Sequence, residues 1–179
     1  MKIYTKRGDK GKTSLINEIE VSKADERIEL LGTLDELSTA IGFAKAMMED
    51  SIKEDLSSIQ KELMFIMAGI ADADNPMYQV DEDEIHALEI KIDELENSFE
   101  REKKLILYGE CETSARLDLA RVAARKAERY FWKIQKEYNL DILAIKYMNR
   151  LSDYFYILAR FEDSKKNKKS CWQMIDPLV

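Results

Sequence analysis

The sequence predicts an all-α protein, a single bundle of about five helices that follows an extended amino-terminal loop. From residue 27 onward, apolar residues recur at steps of three and four, the spacing of one face of an α-helix. The 179 residues include only six Gly and two Pro, a composition that favours long helices over a turn-rich sheet protein. This length predicts one domain: a loop at 1–26, a bundle at 27–162 and a carboxyl-terminal tail at 163–179.

Each predicted element follows from its own pattern. Residues 1–25 lack a helical period and are rich in Gly, Asp, Lys and Thr, which indicates a loop or a short extended arm. The first helix is expected at about 27–49, and Asn75-Pro76 should end the second, because Pro lacks an N–H and restricts the residue before it. The five apolar stripes are Leu34, Leu37, Ile41, Ala44 and Met48; Ile52, Leu56, Ile59, Leu63, Ile66 and Ile70; Ile85, Leu88, Ile92, Leu95 and Phe99; Leu117, Ala120, Ala124, Ala127, Phe131 and Ile134; and Met148, Leu151, Phe155 and Leu158.

Bulk properties exclude several classes of protein. The net charge of -7 argues against general nucleic-acid binding, which needs a surplus of Lys and Arg on one face. No run of about 18 apolar residues exists, and no apolar core follows the basic start, so neither a membrane span nor a secretory signal is predicted. Cys111 and Cys171 form no CxxC pair, which suits packing residues in a reducing compartment. We therefore expect a cytoplasmic protein.

The amino-terminal loop carries a possible anion site. Gly11-Lys12-Thr13 looks like the end of a P-loop, but Lys6 stands where the first P-loop Gly is required, and Lys2-Ile3-Tyr4 is too short for the preceding buried strand. We therefore reject the P-loop. The segment from Thr5 to Thr13 still offers flexible backbone amides, hydroxyls and cations that suit an anion. Taken alone, the segment is interpreted as a solvated surface loop.

Two further groups of polar residues lie on predicted helices. Arg121, Arg125 and Glu128 share one face of the fourth helix, beside its alanine-rich stripe. They predict either an exposed salt-bridge ladder or a nucleotide triphosphate site, since arginine forks match phosphate oxygens. On the fifth helix, Asn149 offers a donor and an acceptor for a base or ribose, while Arg150 and Asp153 could simply pair within the helix. Periodicity leaves these alternatives open.

Other chemistries are not indicated. His86 is the only histidine, so a di-iron site with two Glu-x-x-His pairs is excluded and a protein-ligated zinc site is not supported. We interpret His86 as an ordinary surface residue of its helix. No Gly-x-Ser-x-Gly or comparable nucleophile motif occurs.

Four separated blocks, in this order, resemble the PduO-type ATP:cob(I)alamin adenosyltransferases over about residues 2–162. A chance match of four ordered blocks is far less probable than a match of any one of them. The blocks are Ile3-Tyr4-Thr5-Lys6 with Gly8-Asp9-Lys10-Gly11; Lys23, Asp25 and Arg27 with Gly32 to Ser38 and Ile41-Gly42; Arg121 and Arg125 with Ala127-Glu128-Arg129; and Asn149 to Tyr154.

The resemblance implies a five-helix bundle of the ferritin-like or cobalamin adenosyltransferase-like class, assembled as a homotrimer with active sites between subunits. The amino-terminal loop would fold over ATP with its Mg²⁺, and the protein itself would supply no metal ligands. Asp35 would pair with Arg121 of the neighbouring subunit. The residues implied to contact ATP are Thr5, Lys6, Arg7, Gly8, Thr13, Lys23, Arg125, Lys126, Glu128, Arg129 and Asn149.

The implied reaction transfers the 5'-deoxyadenosyl group from ATP to cob(I)alamin and releases triphosphate. Cobalt(I) is itself a strong nucleophile, so the protein needs only to orient the substrates and stabilise the leaving triphosphate. Arg125 and Lys23 are the residues we assign to that stabilisation. A corrinoid reductase and an adenosylcobalamin-dependent mutase are the implied partners.

The chain also departs from the family pattern. Where the family reads Phe-x-x-Pro-Gly-Gly, this chain has Leu105-Ile106-Leu107-Tyr108-Gly109-Glu110, which places Leu105 at the position implied to contact the corrinoid. Asp118 stands where a His is usual, Lys126 replaces an Arg and Arg7 replaces a Thr. Two alternatives to the enzyme remain: a non-catalytic paralogue that binds ATP or adenosylcobalamin as a sensor or delivery protein, and a helical interaction module without a nucleotide site.

Overall fold

The fold is a bundle of five α-helices, as the sequence predicts. The computed structural model describes residues 4, 6–101 and 105–166, with backbone alone for Arg7 and Lys166. Two short 3₁₀ helices, Arg7–Lys10 and Pro76–Tyr78, lie outside the bundle helices. The bundle consists of α1 (Glu26–Lys45), α2 (Asp50–Ala71), α3 (Glu82–Ser98), α4 (Glu112–Tyr138) and α5 (Ile142–Lys166).

The helices pack in the order α2, α1, α4, α5, α3, with α4 and α5 at the centre. The bundle closes where Lys91 Nζ of α3 lies 2.8 Å from Asp55 Oδ1 of α2. In α4, Ala120, Ala124 and Ala127 are completely buried. Their small side chains let the neighbouring helices approach α4 closely, which puts α1 on one side of it and α5 on the other.

The amino-terminal arm contains more structure than the expected loop. Strands β1 (Lys12–Ser14) and β2 (Glu20–Ser22) form an antiparallel hairpin, in which Thr13 pairs with Val21. An ion pair of 2.5 Å between Lys12 Nζ and Glu20 Oε1 joins the two strands. Three-residue strands are too short for an alternating pattern to be recognised in the sequence.

Several helix boundaries differ from those expected. The first helix ends at Lys45 instead of about residue 49, because Glu49 already occupies the cap position of α2. Helix α5 continues to Lys166, so residues 163–166, assigned to the tail, belong to the bundle. The turn expected at Asn75-Pro76 is present, and the Asn75 side chain accepts a hydrogen bond from the Met77 backbone N–H at 3.1 Å.

The third apolar stripe is less buried than the sequence predicts. Only Leu88 of α3 is fully buried, whereas Ile85, Ile92 and Leu95 are half-buried. Phe99 lies beyond the end of α3 in extended backbone and contacts the Phe161 ring with centroids 5.9 Å apart. The reason is tertiary: α3 packs on α5 at the edge of the bundle, so part of its apolar face borders an open cleft.

No helix in the described part of the chain is both long enough and apolar enough to cross a lipid bilayer.

Candidate functional site

A cleft of about 800 Å³ opens between α3, α4 and α5, and two of the predicted ATP-binding residues meet in its wall. Asn149 Nδ2 of α5 donates a hydrogen bond to Glu128 Oε1 of α4 at 3.1 Å. The two sequence blocks that carry these residues are therefore adjacent in space. The cleft is lined by Glu82, Asp83, Ile85, His86, Glu89, Glu128, Trp132, Leu143, Ile145, Lys146, Asn149 and Arg150.

The side-chain amide of Asn149 has a fixed orientation. Its Oδ1 accepts a hydrogen bond from Arg150 Nη1 at 3.1 Å, while its Nδ2 donates to Glu128. Arg150 is fixed in turn by Glu89, whose Oε1 lies 2.7 Å from Arg150 Nε. The chain Glu89–Arg150–Asn149–Glu128 thus crosses from α3 through α5 to α4. Within it, the amide orientation is set before any ligand arrives.

The interaction between Glu89 and Arg150 also shifts the pKa of both groups. The hydrogen bond from Arg150 lowers the pKa of the Glu89 carboxyl, and the same bond raises the pKa of the Arg150 guanidinium. The pairing of Arg150 with Asp153 that the spacing permits is present within α5 at 3.7 Å, but the contact with Glu89 is shorter, at 2.7 Å. The pairing across helices therefore dominates over the pairing within α5.

The sequence did not single out Glu89 or Trp132 as cleft residues. The Trp132 side chain of α4 is 56% exposed, so its ring is accessible from the cleft. His86, interpreted as an ordinary surface residue, is exposed as expected, but it also lines the cleft, 3.7 Å from Glu89. The spacing of three between His86 and Glu89 was the signal that could have indicated a shared face of α3.

The predicted ATP-binding cations of α4, namely Arg125, Lys126 and Arg129, differ in their surroundings. Arg125 and Arg129 are exposed, and Arg129 Nη1 donates to the Arg125 carbonyl at 3.2 Å. The Lys126 ammonium lies 2.7 Å from Glu36 Oε2, so Lys126 faces α1 and does not line the cleft. The arginines remain accessible to an anionic ligand beside the cleft, whereas the Lys126 ammonium already has a partner.

Several predicted residues of the arm converge on one turn. Gly11 has a positive φ of 75°, a conformation that favours glycine, and its carbonyl accepts a hydrogen bond from the Lys23 backbone N–H at 2.9 Å. A Cβ on Gly8 would come within 2.8 Å of Lys23 Nζ, so the ammonium packs directly against Gly8. Lys6 lies immediately before this turn with a φ of 60°.

The remaining arm residues are only partly visible or lie elsewhere. Thr13 is half-buried in β1. Thr5 lies outside the described residues, as does the side chain of Arg7. None of the arm residues among those described lines the cleft of α3, α4 and α5. Within the described part of one chain, the predicted ATP-binding residues of the arm are therefore separate from Glu128 and Asn149 in the cleft.

The two residues expected to pair between subunits have different surroundings. Asp35 of α1 is exposed. Arg121 already has partners within its own chain: its Nε donates to Asp118 Oδ1 at 2.9 Å, and its guanidinium carbon lies 4.5 Å from the centre of the Tyr108 ring. Leu105, at the position implied to contact the corrinoid, is 64% exposed.

A buried ionic cluster of Asp118, Arg160 and Asp163 connects α4 with α5 next to Arg121. The sequence analysis did not predict this cluster. Arg160 of α5 is completely buried, and its Nη2 donates to Asp118 Oδ2 at 2.6 Å. Its Nε lies 3.1 Å from Asp163, where burial raises the pKa of the carboxyl. The signal available in the sequence was the acidic Asp118 at a position where the family pattern has His.

No metal site is indicated by the arrangement of side chains. Across residues 6–101 and 105–166, no three His, Cys, Asp or Glu side chains are grouped so as to hold a metal ion.

The chain matches the family model for cobalamin adenosyltransferase over residues 3–162, and it belongs to that family. The recognition based on the sequence blocks is thus confirmed. The corrinoid adenosyltransferase PduO of Salmonella typhimurium is 41% identical over 169 residues, which cover 92% of this chain and 50% of the relative. A corrinoid adenosyltransferase of Bacillus subtilis is 34% identical, covering 92% of this chain and 88% of the relative.

The chain spans about half the length of the PduO relatives from Salmonella typhimurium and Citrobacter freundii, 50% and 54% respectively. Among solved structures, it is similar to a phenylalanine-to-alanine variant of a PduO-type ATP:corrinoid adenosyltransferase from Lactobacillus reuteri, complexed with cobalamin and ATP. That similarity has a TM-score of 0.86 at 31% identity and covers 92% of this chain and 95% of the other. An arginine-to-lysine variant from the same organism, complexed with ATP, has a TM-score of 0.85 at 32% identity.

Proposed function

We propose that this protein is an ATP:corrinoid adenosyltransferase, which transfers the 5'-deoxyadenosyl group from ATP to cob(I)alamin and releases triphosphate. The observation that carries the proposal is the hydrogen bond between Glu128 and Asn149, which joins two of the predicted ATP-contacting blocks in one cleft of a chain that belongs to this family. Relatives named as corrinoid adenosyltransferases and neighbours complexed with cobalamin and ATP support the choice of substrates.

The charges of the cleft favour a particular orientation of ATP. Four carboxylates, from Glu82, Asp83, Glu89 and Glu128, line the cleft with two cations, so a triphosphate inside it would be repelled. The uncharged adenosine fits there instead, with the fixed amide of Asn149 directed at the ribose or base. The triphosphate then extends outward, where arginine side chains are exposed.

The triphosphate would be bound by cations from α4 and from the arm. Arg125 and Arg129 supply guanidinium groups, which form charge-assisted hydrogen bonds to phosphate oxygens. The arm would close over the phosphates with Lys23 and the backbone amides of its glycine turn, and Mg²⁺ would bind through the phosphate oxygens. Lys6, Gly8 and Thr13 of the arm would add to these contacts. Thr5, Arg7 and Lys126 are the other residues that we predict to contact ATP.

The transfer requires little acid–base chemistry from the protein. The electron pair of cobalt(I) forms the bond to the ribose 5' carbon, the bond from that carbon to the triphosphate oxygen breaks, and the triphosphate leaves with the electron pair. No proton moves in this step. Arg125 and Lys23 would stabilise the charge that develops on the leaving oxygen, and the cleft would orient the carbon toward the metal.

The separation of the arm from the cleft supports a site shared between subunits of a homotrimer. Leu119 and Val122 are 54% and 47% exposed on either side of Arg121, which suits a surface covered by a neighbouring subunit. Asp35 of that neighbour would then reach Arg121. We further propose a cytoplasmic location, a reductase that supplies cobalt(I) and a mutase that consumes the product.

A direct assay tests the proposal. The protein with ATP, Mg²⁺ and chemically reduced cobalamin should form adenosylcobalamin, and Arg125→Ala should lower kcat/KM by at least tenfold, because a charge-assisted contact to phosphate is lost. Lys53→Ala is the matched control, since Lys53 is a cation of α2 paired with Asp50 outside the cleft. Absence of product above a control without protein would refute the enzyme. Tight binding of both ligands without turnover would instead favour the sensor or delivery protein.

A further inference from the structure

The loop at 105–110 is attached to the bundle through an aromatic ring that contacts two guanidinium groups. The centre of the Tyr108 ring lies 4.5 Å from the Arg121 guanidinium carbon and 5.4 Å from that of Arg160. Both distances fall within the range of cation–π attraction. One side chain of the loop thus contacts both of the central helices, α4 and α5.

Asp118 fixes the positions of both guanidinium groups. Its Oδ1 accepts from Arg121 Nε at 2.9 Å, and its Oδ2 accepts from Arg160 Nη2 at 2.6 Å. The Asp118 side chain is only 8% exposed and that of Arg160 is completely buried, so water competes little for these bonds. The ring therefore lies against two cations whose geometry is preset.

The Arg160 charge is only partly compensated by hydrogen bonds. Arg160 Nη1 is buried and makes no hydrogen bond within the described residues, although Asp163 lies near Nε. An aromatic face is a favourable neighbour for such a cation, and the attraction is stronger for a desolvated cation than for an exposed one. Arg160 is desolvated, whereas Tyr108 is 56% exposed, so the contact joins a buried charge to a ring at the surface.

Tyr108 and Asp118 are also two of the positions where this chain departs from the family pattern. Tyr108 replaces the Pro of Phe-x-x-Pro-Gly-Gly, and a Pro would restrict the loop through its own backbone. Gly109, which matches the first Gly of that pattern, has a positive φ of 92°, a conformation that favours glycine. Where the family pattern has Pro, this chain has a ring that contacts the guanidinium groups of Arg121 and Arg160. Asp118 positions both guanidinium groups.

We propose that Tyr108 is a positioning residue for the corrinoid: packed on Arg121 and Arg160, it holds loop 105–110, and with it the exposed Leu105, in the conformation that receives the corrinoid. This inference rests on the proposed function. Tyr108 and Asp118, both departures from the family pattern, would act together: they restrain the loop through a side-chain contact, where a Pro would restrain it through its backbone.

The test compares Tyr108→Leu with Tyr108→Phe. We expect Tyr108→Leu to raise KM for cob(I)alamin about fivefold or more while KM for ATP stays within about twofold, because the ring contact is lost. Tyr108→Phe keeps the ring and should restore KM for the corrinoid to within about twofold of the original protein. Amide hydrogen exchange at residues 105–110 should accelerate in Tyr108→Leu and not in Tyr108→Phe.

Tyr156→Leu is the matched control. Its ring lies 5.4 Å from the same Arg160 guanidinium carbon but belongs to α5, so its loss should leave the corrinoid KM within about twofold. An equal rise of both KM values in Tyr108→Leu, a defect in Tyr108→Phe as large as that in Tyr108→Leu, or the same defect in Tyr156→Leu would overturn the inference. If the original protein shows no turnover, the proposed function fails, and unchanged hydrogen exchange in Tyr108→Leu would then refute the positioning role separately.

Discussion

Asn149 illustrates how the site depends on residues outside the sequence blocks. Its amide oxygen faces Arg150 and its amide nitrogen faces Glu128, so a rotation that exchanges them would place donor against donor and acceptor against acceptor. Arg150 itself is fixed by Glu89 on another helix. The planar guanidinium has several donors, which is why one residue can serve both neighbours.

Replacing Arg150 by Lys should separate these two roles. A Lys ammonium can still pair with Glu89, but it lacks the planar fork that also reaches Asn149. We expect Arg150→Lys to raise KM for ATP about three- to tenfold, the range for one lost hydrogen bond, with a melting temperature changed by less than about 2 °C. Steady-state kinetics and thermal melts measure both effects.

Arg101→Lys provides the control for that substitution. Arg101 also pairs with a glutamate, Glu96 on α3, but it does not line the cleft of α3, α4 and α5. Its KM for ATP should stay within about twofold. If Arg150→Lys also leaves KM for ATP unchanged, the orientation of Asn149 does not depend on Arg150.

At the scale of elements, side-chain contacts of Asp25 fix the start of α1, where the amino-terminal arm joins the bundle. Asp25 caps the helix by accepting from the Arg27 backbone N–H at 2.9 Å and also pairs with the Arg27 guanidinium. That guanidinium lies 4.8 Å from the centre of the Tyr138 ring, at the end of α4. The base of the arm is therefore tied to two helices, although the arm itself folds as a small hairpin.

The Asp25 interactions predict a dependence of stability on pH. The hydrogen bond from Arg27 holds the pKa of the Asp25 carboxyl below its ordinary value of 3.8. Because the folded pKa is the lower one, this stabilisation is fully present above about pH 4 and is lost as the pH falls through the folded pKa. Asp25→Ala should lower the melting temperature at pH 7 by about 2–4 °C, since an N-cap contributes about 1 kcal/mol.

Asp25→Asn is the matched variant, because Asn is an equally good cap but carries no charge. It should lose the ion pair alone, so its deficit at pH 7 should be smaller than that of Asp25→Ala and should shrink as the pH falls below about 4 toward the folded pKa of Asp25. Thermal melts from pH 3 to 7 at constant protein concentration test this. A deficit of Asp25→Asn that persists unchanged at pH 3 would contradict the assignment.

Most elements could be predicted from the sequence, because burial along one face of a helix leaves a local pattern. The five stripes and the turn at Asn75-Pro76 are of this kind. The half-burial of α3 could not be predicted, since it depends on which helices pack beside it. The pairing of Asp118 with Arg160 joins residues 42 positions apart, and no spacing rule relates them. Glu128 and Asn149 were named individually, but their contact across 21 positions was likewise visible only in the structure.

At the scale of the whole molecule, the amino-terminal arm and the cleft of α3, α4 and α5 carry different predicted ATP-binding residues. The described residues of the arm do not line the cleft, and Asp35 is exposed on α1. A trimer in which Asp35 pairs with Arg121 of a neighbour would connect assembly to the nucleotide site. The Arg121 Nε is used by Asp118, but a guanidinium has further donors that can serve a second carboxylate.

Asp35→Asn should therefore weaken the assembly. We expect the proposed trimer to dissociate at protein concentrations about tenfold higher than for the original protein, because a charge-assisted bond is replaced by a neutral one. Sedimentation velocity over a dilution series measures the shift. Glu36→Gln is the control, since Glu36 pairs with Lys126 within the chain, and a profile of Asp35→Asn identical to that of the control would exclude the pairing.

Helix α4, which is 27 residues long, contains residues of both proposed substrate sites. Arg121 contacts Tyr108 of loop 105–110, which we propose receives the corrinoid, and Glu128, seven positions further along, lines the cleft that we propose binds adenosine. An inserted residue between them would advance one end by about 1.5 Å and turn it by about 100°. Substitutions can therefore change either proposed site separately, whereas we expect insertions and deletions to be absent from this stretch, since they would change the position of one proposed site relative to the other.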